Sequence, residues 1–279
     1  MKITFYGVRG SVPVTDPNKS KFGGDTSCVH IRLNNNADVI LDAGTGIRIL
    51  GKKLAASKTP IHILLSHKHW DHIQGYPFFE PIFQPDRQIY VYPSQPDIHE
   101  KLCTLIDQMD GAYFPIKSAD LPSQTECVIT NIEEALQPYG INILTRVLNH
   151  PGGGSAYRIE EDGVSCAYVT DNELHHAREV HTSYEEWVEF CHGVNVLIHD
   201  GQYVEADMPH KQGWGHSVIS HVRQLALDAE VKTLVLFHHD LDRTDAQLEQ
   251  IQQETETFFK GKNSWTRGLC ARQGMVLQV

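Results

Sequence analysis

The chain has 279 residues, of which 41% are hydrophobic and 21% are charged. This length and hydrophobic content suffice for a buried core, and the composition is not that of a disordered chain. Its formal net charge of -11 argues against binding to long nucleic acid. No apolar run is long enough to span a bilayer, and six cysteines without a C-x-x-C pair indicate free thiols. We therefore expect a soluble cytoplasmic protein with no membrane contact.

The first part of the chain is predicted to alternate short strands with loops. Three asparagines at 34–36 indicate the turn of a hairpin between two strands. An amphipathic helix is predicted at 47–57. The predicted strands cover 3–8, 27–33, 38–42, 61–65 and 89–92.

Residues 94–126 form a long insert with a different pattern. Helical spacing over 96–109 is followed by Gly111 and the apolar residues Tyr113 and Phe114. Such inserts with exposed aromatic residues often form lids or binding loops, although an ordinary packed helix and loop fit the pattern equally well. The sequence therefore predicts a helical lid insert at 94–126 as one of two alternatives.

The second part of the chain is again rich in strands. Strands are predicted at 141–148, 155–160, 164–170, 194–199, 233–238 and 274–279, and helices at 184–191, 218–229 and 244–260. Two β-rich halves that each close with helices indicate two sheets packed between outer helices. The prediction is one α/β domain over 1–279, a four-layer αββα sandwich.

Four potential metal ligands lie within six residues, directly after the predicted strand at 61–65. They are His67, His69, Asp71 and His72. Imidazole and carboxylate groups suit zinc, iron or manganese. His67 and His69 point the same way in extended backbone, because side chains alternate with a period of two. One pair of ligands can then hold one metal ion, and the other pair a second.

Further ligand types follow other apolar strands. His150, Asp171 and His238 each lie at such a strand end, with His239 as the alternative to His238. The ordered set HxHxDH, His, Asp, His resembles the metallo-β-lactamase superfamily, from GVRGS at 7–11 to FHHD at 237–240. This resemblance implies two divalent metal ions, zinc in the first place and manganese or iron as alternatives. It assigns His67, His69 and His150 to one ion, Asp71, His72 and His238 to the other, and Asp171 to both.

Three features favour the phosphodiesterase branch of that superfamily. No cysteine follows the pattern of true β-lactamases, and His69 stands where the flavodiiron oxidoreductases carry glutamate. The segment GWGHS at 213–217 resembles the Gly-His-Ser motif of ribonuclease Z and the cyclic phosphodiesterases. Ribonuclease Z itself fits poorly, because the chain is acidic and only a compact helix and strand separate Asp171 from Asp200. The chain is also similar to bacterial metal-dependent hydrolases with an FGGNTSC signature, with Asp25 in place of asparagine.

The expected reaction is hydrolysis of a small phosphodiester, such as a cyclic nucleotide, by a metal-bridging hydroxide that Asp71 orients. His216 is expected to contact the phosphoryl group or protonate the leaving oxygen. Asp200 is predicted to orient His216, and Asp42 to support the first ligand cluster, although a strand-end Asp is also a common turn residue.

The aromatic residues that follow HxHxDH are candidates for stacking on a nucleobase. Tyr76, Phe79 and Tyr113 are predicted to contact the substrate, although core packing is expected for at least two of Tyr76, Phe78, Phe79 and Phe83. Two other functions stay open: a thioesterase or lactonase of the glyoxalase II kind, and a nucleotide-binding module without catalysis. Related enzymes commonly dimerise, so the resemblance also implies a homodimer.

Overall fold

The computed structural model describes residues 1–94, 103–176 and 180–279. In these ranges the strands are β1 (Lys2–Gly7), β2 (Cys28–Arg32), β3 (Asp38–Leu41), β4 (Ile61–Leu64), β5 (Gln88–Tyr92), β6 (Gln124–Cys127), β7 (Asn142–Val147), β8 (Ser155–Glu161), β9 (Val164–Val169), β10 (Val196–Asp200), β11 (Thr233–Phe237), β12 (Arg267–Cys270) and β13 (Val276–Gln278). The helices are α1 (Ile47–Leu54), α2 (Trp70–Ile73), α3 (Thr104–Asp107), α4 (Ile132–Leu136), α5 (Tyr184–Cys191), α6 (Ile219–Asp228) and α7 (Asp245–Gly261).

Two mixed sheets organise the chain. The first sheet has the strand order β13-β1-β2-β3-β4-β5-β6, and the second has the order β12-β11-β10-β9-β8-β7. Strands β3 to β6 run parallel, as do β9 to β12. Strand β7 runs in the same direction as β9, because both are antiparallel to β8. The residues that follow these strands therefore lie along one edge of each sheet, where the carboxyl ends of the strands meet.

Alternation along the strands divides the apolar residues into three layers of core. In β3, Val39 and Leu41 point between the two sheets, whereas Ile40 packs on the outer side of the first sheet. Helix α1 covers that outer side with Ile47 and Leu50. Helices α5, α6 and α7 cover the outer side of the second sheet. The order helix, sheet, sheet, helix confirms the predicted αββα sandwich.

Local sequence explains the two helices that are clearest in the prediction. In α1 the buried residues Ile47, Leu50 and Leu54 follow helical spacing, and each buried side chain of this kind stabilises the fold by about 1.5–3 kcal/mol. Helix α7 begins at a capping box, in which the Thr244 hydroxyl accepts from the Gln247 N–H and the Gln247 side chain returns to Thr244. Within the described ranges, no helix combines the length and the apolar character that crossing a membrane requires.

Four of these helices and strands were not predicted from the sequence: α2, β6, α4 and β12. Strand β6 reads QTEC, and its residues alternate between exposed and half-buried at the edge of the first sheet, so its polar composition hides it. Because β6 pairs with β5, the end of the predicted insert at 94–126 is part of the sheet. Of its predicted helix at 96–109, residues 96–102 lie outside the described residues, and α3 covers Thr104–Asp107.

The expectation that all six cysteines are free thiols is wrong for two of them. Cys103 and Cys127 form a disulfide, with Cα atoms 6.2 Å apart, because the chain returns through β6 to the start of α3. Cys28, Cys166, Cys191 and Cys270 are buried free thiols, as predicted.

Candidate active site

The loop after β4 and the turn into α2 bring the first histidines together. Nε2 of His67 lies 3.0 Å from Nδ1 of His69, which in turn lies 3.1 Å from Nε2 of His150 at the end of β7. Oδ2 of Asp171 lies 3.5 Å from the same nitrogen of His67. These four side chains, which we call cluster 1, present three ring nitrogens and one carboxylate oxygen to a common point.

A second cluster lies beside the first and shares Asp171 with it. Nε2 of His238 lies 3.0 Å from Oδ2 of Asp71 and 3.2 Å from Nε2 of His72. Oδ1 of Asp171 lies 3.3 Å from both of these ring nitrogens. In this cluster 2, Asp171 therefore uses the carboxylate oxygen that cluster 1 does not use. The structure thus brings together all seven residues predicted as metal ligands.

The donor atoms fit a divalent metal ion better than they fit one another. His72 and His238 each bond an acceptor through Nδ1, Oδ2 of Asp42 at 2.8 Å and Oε1 of Gln202 at 3.0 Å. When Nδ1 carries the ring proton, Nε2 of each of these rings has a lone pair that a metal ion would bind. A tetrahedral zinc ion with Zn–N bonds of about 2.0–2.1 Å would separate two such nitrogens by about 3.3 Å. The residues present therefore suit a metal in each cluster.

Burial and charge act on the ring nitrogens in opposite directions. Burial, helped by the charge of His72, holds the pKa of His67 well below its usual range, and burial lowers the pKa of His150 to about 4. Burial also lowers the pKa of His72, but the carboxylates of Asp171 and Asp71 outweigh it and raise the pKa well above its usual range. Cluster 1 therefore favours neutral imidazoles, and cluster 2 has a negative field that attracts a cation.

The ligand residues of cluster 2 are held by groups behind them. The Asp42 carboxylate accepts hydrogen bonds from the N–H of Ser66 at 2.7 Å and from the hydroxyl of Tyr168 at 2.8 Å, besides its bond to His72. The N–H of Ser11 donates to Oδ2 of Asp71 at 2.7 Å. Such contacts fix the orientation of a ligand and tune its basicity. The structure thus places Asp42 in contact with His72, one of the four ligands of the HxHxDH segment that Asp42 was predicted to support.

Three site residues at strand ends have a left-handed backbone. The φ angles are 61° at Asp42, 52° at Asp171 and 55° at His238. This conformation is uncommon outside glycine and concentrates at functional sites. Each of these residues follows the last residues of a buried strand, so the sharp turn redirects its side chain toward the clusters instead of continuing the strand's alternation.

His216 lies beside both clusters and is oriented by Asp200 at the end of β10. Nδ1 of His216 lies 2.9 Å from Oδ2 of Asp200, and its ring stacks on that of His238 with centroids 5.1 Å apart. Burial lowers the pKa of His216, but the Asp200 carboxylate more than offsets this and raises the pKa to about 9. The predicted pair of Asp200 and His216 is therefore in hydrogen-bonding contact.

The loop that carries His216 is clamped by Glu173, a residue that no motif or spacing in the sequence singles out. Both carboxylate oxygens of this buried side chain accept the N–H of Gly213 at 3.0 Å, and Oε2 also accepts the N–H of Gly215 at 3.0 Å. The carbonyl of Gly215 accepts from Nδ1 of His150 at 3.0 Å. Glu173 lies two residues after Asp171, so one segment holds both a ligand and the His216 loop.

The predicted substrate contacts of Tyr76 and Phe79 are wrong. Both side chains are fully buried and pack with α1 on the outer side of the first sheet, so they have no surface to offer a substrate. The short 3-10 turn at Tyr76–Phe78 explains the difference, because it directs Phe78 outward between two buried neighbours. Tyr113 is 81% exposed, as a substrate contact requires. His239 is buried, and its Nε2 donates to the carbonyl of Ala271, so the predicted choice of His238 over His239 agrees with the geometry.

Fold and donor atoms together define a metal-dependent hydrolase. The chain belongs to the beta-lactamase superfamily, since residues 38–239 match the beta-lactamase superfamily domain. It is 24% identical to ribonuclease Z of Picrophilus torridus over 88% of each chain.

Solved structures agree with this fold. The metallo-beta-lactamase fold protein YhfI from Bacillus subtilis superimposes with a TM-score of 0.68 at 16% identity, over 99% of both chains. A diphosphatase from the PhnP family superimposes with a TM-score of 0.67 at 17% identity, over 100% of this chain and 97% of that one. At these sequence identities the similarity shows a shared fold alone.

Proposed function

We propose that this protein hydrolyses a small phosphodiester, a cyclic nucleotide or a similar ester, with one divalent metal ion in each of the two clusters. Zinc is the first choice for donor sets of imidazole and carboxylate, and manganese or iron are alternatives. The observation that carries the proposal is the hydrogen-bonded pair of Asp200 and His216 directly beside two clusters that share Asp171. The names of two relatives, a ribonuclease and a diphosphatase, support cleavage of a bond to phosphorus.

Divalent metals in such clusters lower the pKa of water to about 7 and offset charge on phosphoryl oxygens. The chain's own residues then complete the reaction. The carboxylates of Asp71 and Asp171 supply the negative charge of the site, and the Ser11 N–H donates a hydrogen bond to Asp71. His216 donates one ring proton to Asp200, so its other nitrogen is left to protonate the leaving oxygen of the ester.

The proposal is tested with purified protein that is stripped of metal and reloaded with zinc or manganese. The substrates are bis-p-nitrophenyl phosphate, 3′,5′-cyclic AMP and GMP, 2′,3′-cyclic nucleotides, a thioester and a lactone. We expect metal-dependent turnover of phosphodiesters. Asp71→Ala should bind less metal and lose turnover, whereas His216→Ala should keep its metal and lose roughly 100- to 10,000-fold in turnover.

Three results would count against the proposal. Cleavage of the thioester or lactone without cleavage of any phosphodiester would assign the protein to the glyoxalase II kind of enzyme. Nucleotide binding with bound metal and no turnover would indicate a binding module. Full activity of His216→Ala, or loss of its metal, would remove the role proposed for that residue.

A further inference from the structure

An open cleft borders the chain segment that carries His69 of cluster 1. It encloses about 460 Å³, within the range of small-molecule sites; most of its surface is apolar, and Asp107 and Asp110 are among its polar lining residues. Lys68 and Trp70 form part of its wall, and they directly precede and follow His69 in the chain. His69 is the exposed member of cluster 1. The wall of the cleft is therefore joined directly, through Lys68 and Trp70, to a ligand of cluster 1 that is open to solvent.

Three large aromatic side chains of the cleft are exposed. The exposed fractions are 69% for Trp70, 58% for Phe78 and 81% for Tyr113. Aromatic rings bury large apolar areas when they pack, so several exposed rings around one cavity indicate a binding surface. The rings of Trp70 and Tyr113 meet edge to face with centroids 6.5 Å apart, as do those of Phe78 and Phe114 at 5.6 Å. Exposed ring surface is thus available to a third planar group.

The wall opposite Trp70 is attached to the body of the protein. Leu105 and Met109 are buried in the core layer that α1 covers. The side-chain amide of Gln108 donates to the carbonyls of Ile73 at 3.0 Å and Leu105 at 2.9 Å, which ties the α3 region to α2. The disulfide between Cys103 and Cys127 ties the start of α3 to β6. These contacts hold the α3 side of the cleft against α2, which follows His69 in the chain.

We propose that this cleft binds a planar aromatic group of the substrate, a nucleobase, against the exposed ring faces of Trp70 and Tyr113 while the phosphoryl group lies at the clusters. The proposal rests on the phosphodiesterase function proposed above and specifies its substrate as a nucleotide ester. Stacking on aromatic side chains tolerates every base, because each base has a π face. The cleft accordingly selects for an aromatic group and discriminates little among bases.

The binding test needs no turnover. Calorimetry on metal-loaded protein compares adenosine 5′-monophosphate with ribose 5-phosphate, which carries the phosphate and lacks the base. We expect the nucleotide to bind about 5- to 150-fold more tightly. Tyr113→Ala and Trp70→Ala should each reduce that ratio. Trp265→Ala is the matched control, because Trp265 is 64% exposed in the segment between α7 and β12, outside the cleft.

The kinetic test uses two diesters with the same leaving group, thymidine 5′-p-nitrophenyl phosphate and methyl p-nitrophenyl phosphate. The ratio of their kcat/KM values reports the contribution of the base, and it should fall by about fivefold or more in Tyr113→Ala, chiefly through KM. Tyr113→Phe keeps the ring and should keep the ratio. A selective loss of the nucleoside substrate is not what a general defect in folding would produce.

The two tests separate failure of the cleft from failure of the proposed function. Equal binding of nucleotide and sugar phosphate to the wild-type protein, or an unchanged ratio in both alanine variants, overturns the cleft proposal. Tighter binding of the nucleotide without any phosphodiester turnover supports the cleft and overturns the proposed function.

Discussion

Asp200 and Gln202 at the end of β10 support His216 and His238 at the same time. One carboxylate oxygen of Asp200 lies 2.9 Å from Nδ1 of His216, and the other accepts the N–H of Gln202 at 2.9 Å. The side chain of Gln202 in turn lies 3.0 Å from Nδ1 of His238. A single strand end thus orients the proposed proton donor and a ligand of cluster 2.

This relationship predicts the phenotype of Asp200→Asn. The amide keeps the size of the carboxylate but loses its charge and one acceptor, so His216 is held less well. We expect turnover of bis-p-nitrophenyl phosphate to fall at least about 10-fold, within the range that positioned proton donors contribute. Metal content, measured by mass spectrometry, should be unchanged. If the double variant Asp200→Asn/His216→Ala loses turnover by the product of the two single-variant factors, the two residues do not act as a unit.

The clamp by Glu173 predicts a different pair of variants. Glu173→Ala leaves the N–H groups of Gly213 and Gly215 without their buried acceptor, so the loop that carries His216 should loosen and kcat should fall. Glu173→Gln keeps one acceptor oxygen and should recover much of that loss. Equal activities of the two variants would show that Glu173 does not position the loop.

Close packing at Gly215 predicts a selective loss of metal. A Cβ atom at Gly215 would lie 2.0 Å from Nδ1 of His150, so Gly215→Ala should displace this ligand and reduce the metal content. Gly213→Ala is the matched control, because Gly213 has a similar positive φ of 82° against 86°, and a Cβ atom there would have no neighbour within 4 Å. Both variants carry the backbone strain, and only the first carries the clash. Similar metal contents in the two would contradict this account.

The burial of His62 predicts that the free energy of unfolding declines in acid. His62 lies in β4, five residues before His67, with Nδ1 3.0 Å from the hydroxyl of Tyr92. Burial lowers the pKa of His62 to about 4, and the charge of Asp38 offsets this only in part. As the pH falls below about 6.5, the unfolded chain binds a proton that the native protein does not bind until about pH 4.

The free energy of unfolding should therefore decline in this pH range, by at most about 1.4 kcal/mol per pH unit from His62. His62→Asn keeps a polar group near the Tyr92 hydroxyl and removes the titration. The free energy of unfolding of this variant should therefore decline less between pH 6.5 and 4.5 than that of the wild type. Urea unfolding of the metal-loaded proteins measures both declines. Parallel curves would show that His62 is not responsible.

The predicted metal ligands could be selected from the sequence because each has a local signature. His67 to His72 form a dense cluster after an apolar strand, and His150, Asp171 and His238 follow further strands. The carboxyl ends of parallel strands meet at one edge of a sheet, so strand-end residues far apart in the chain converge there. The order of helix and sheet layers was also predictable, because the spacing of apolar residues distinguishes strands from helices.

Only the tertiary structure decided that Ser11 and Gln202 support the ligands and which aromatic rings are exposed. Ser11 lies 60 residues from Asp71, and Gln202 lies 36 residues from His238, so neither contact leaves a local pattern. The exposure of Phe78 and the burial of Tyr76 depend on how one short turn packs against α1. Long-range hydrogen bonds and side-chain packing arise when the whole chain is folded, whereas periodicity and ligand spacing are already present in the sequence.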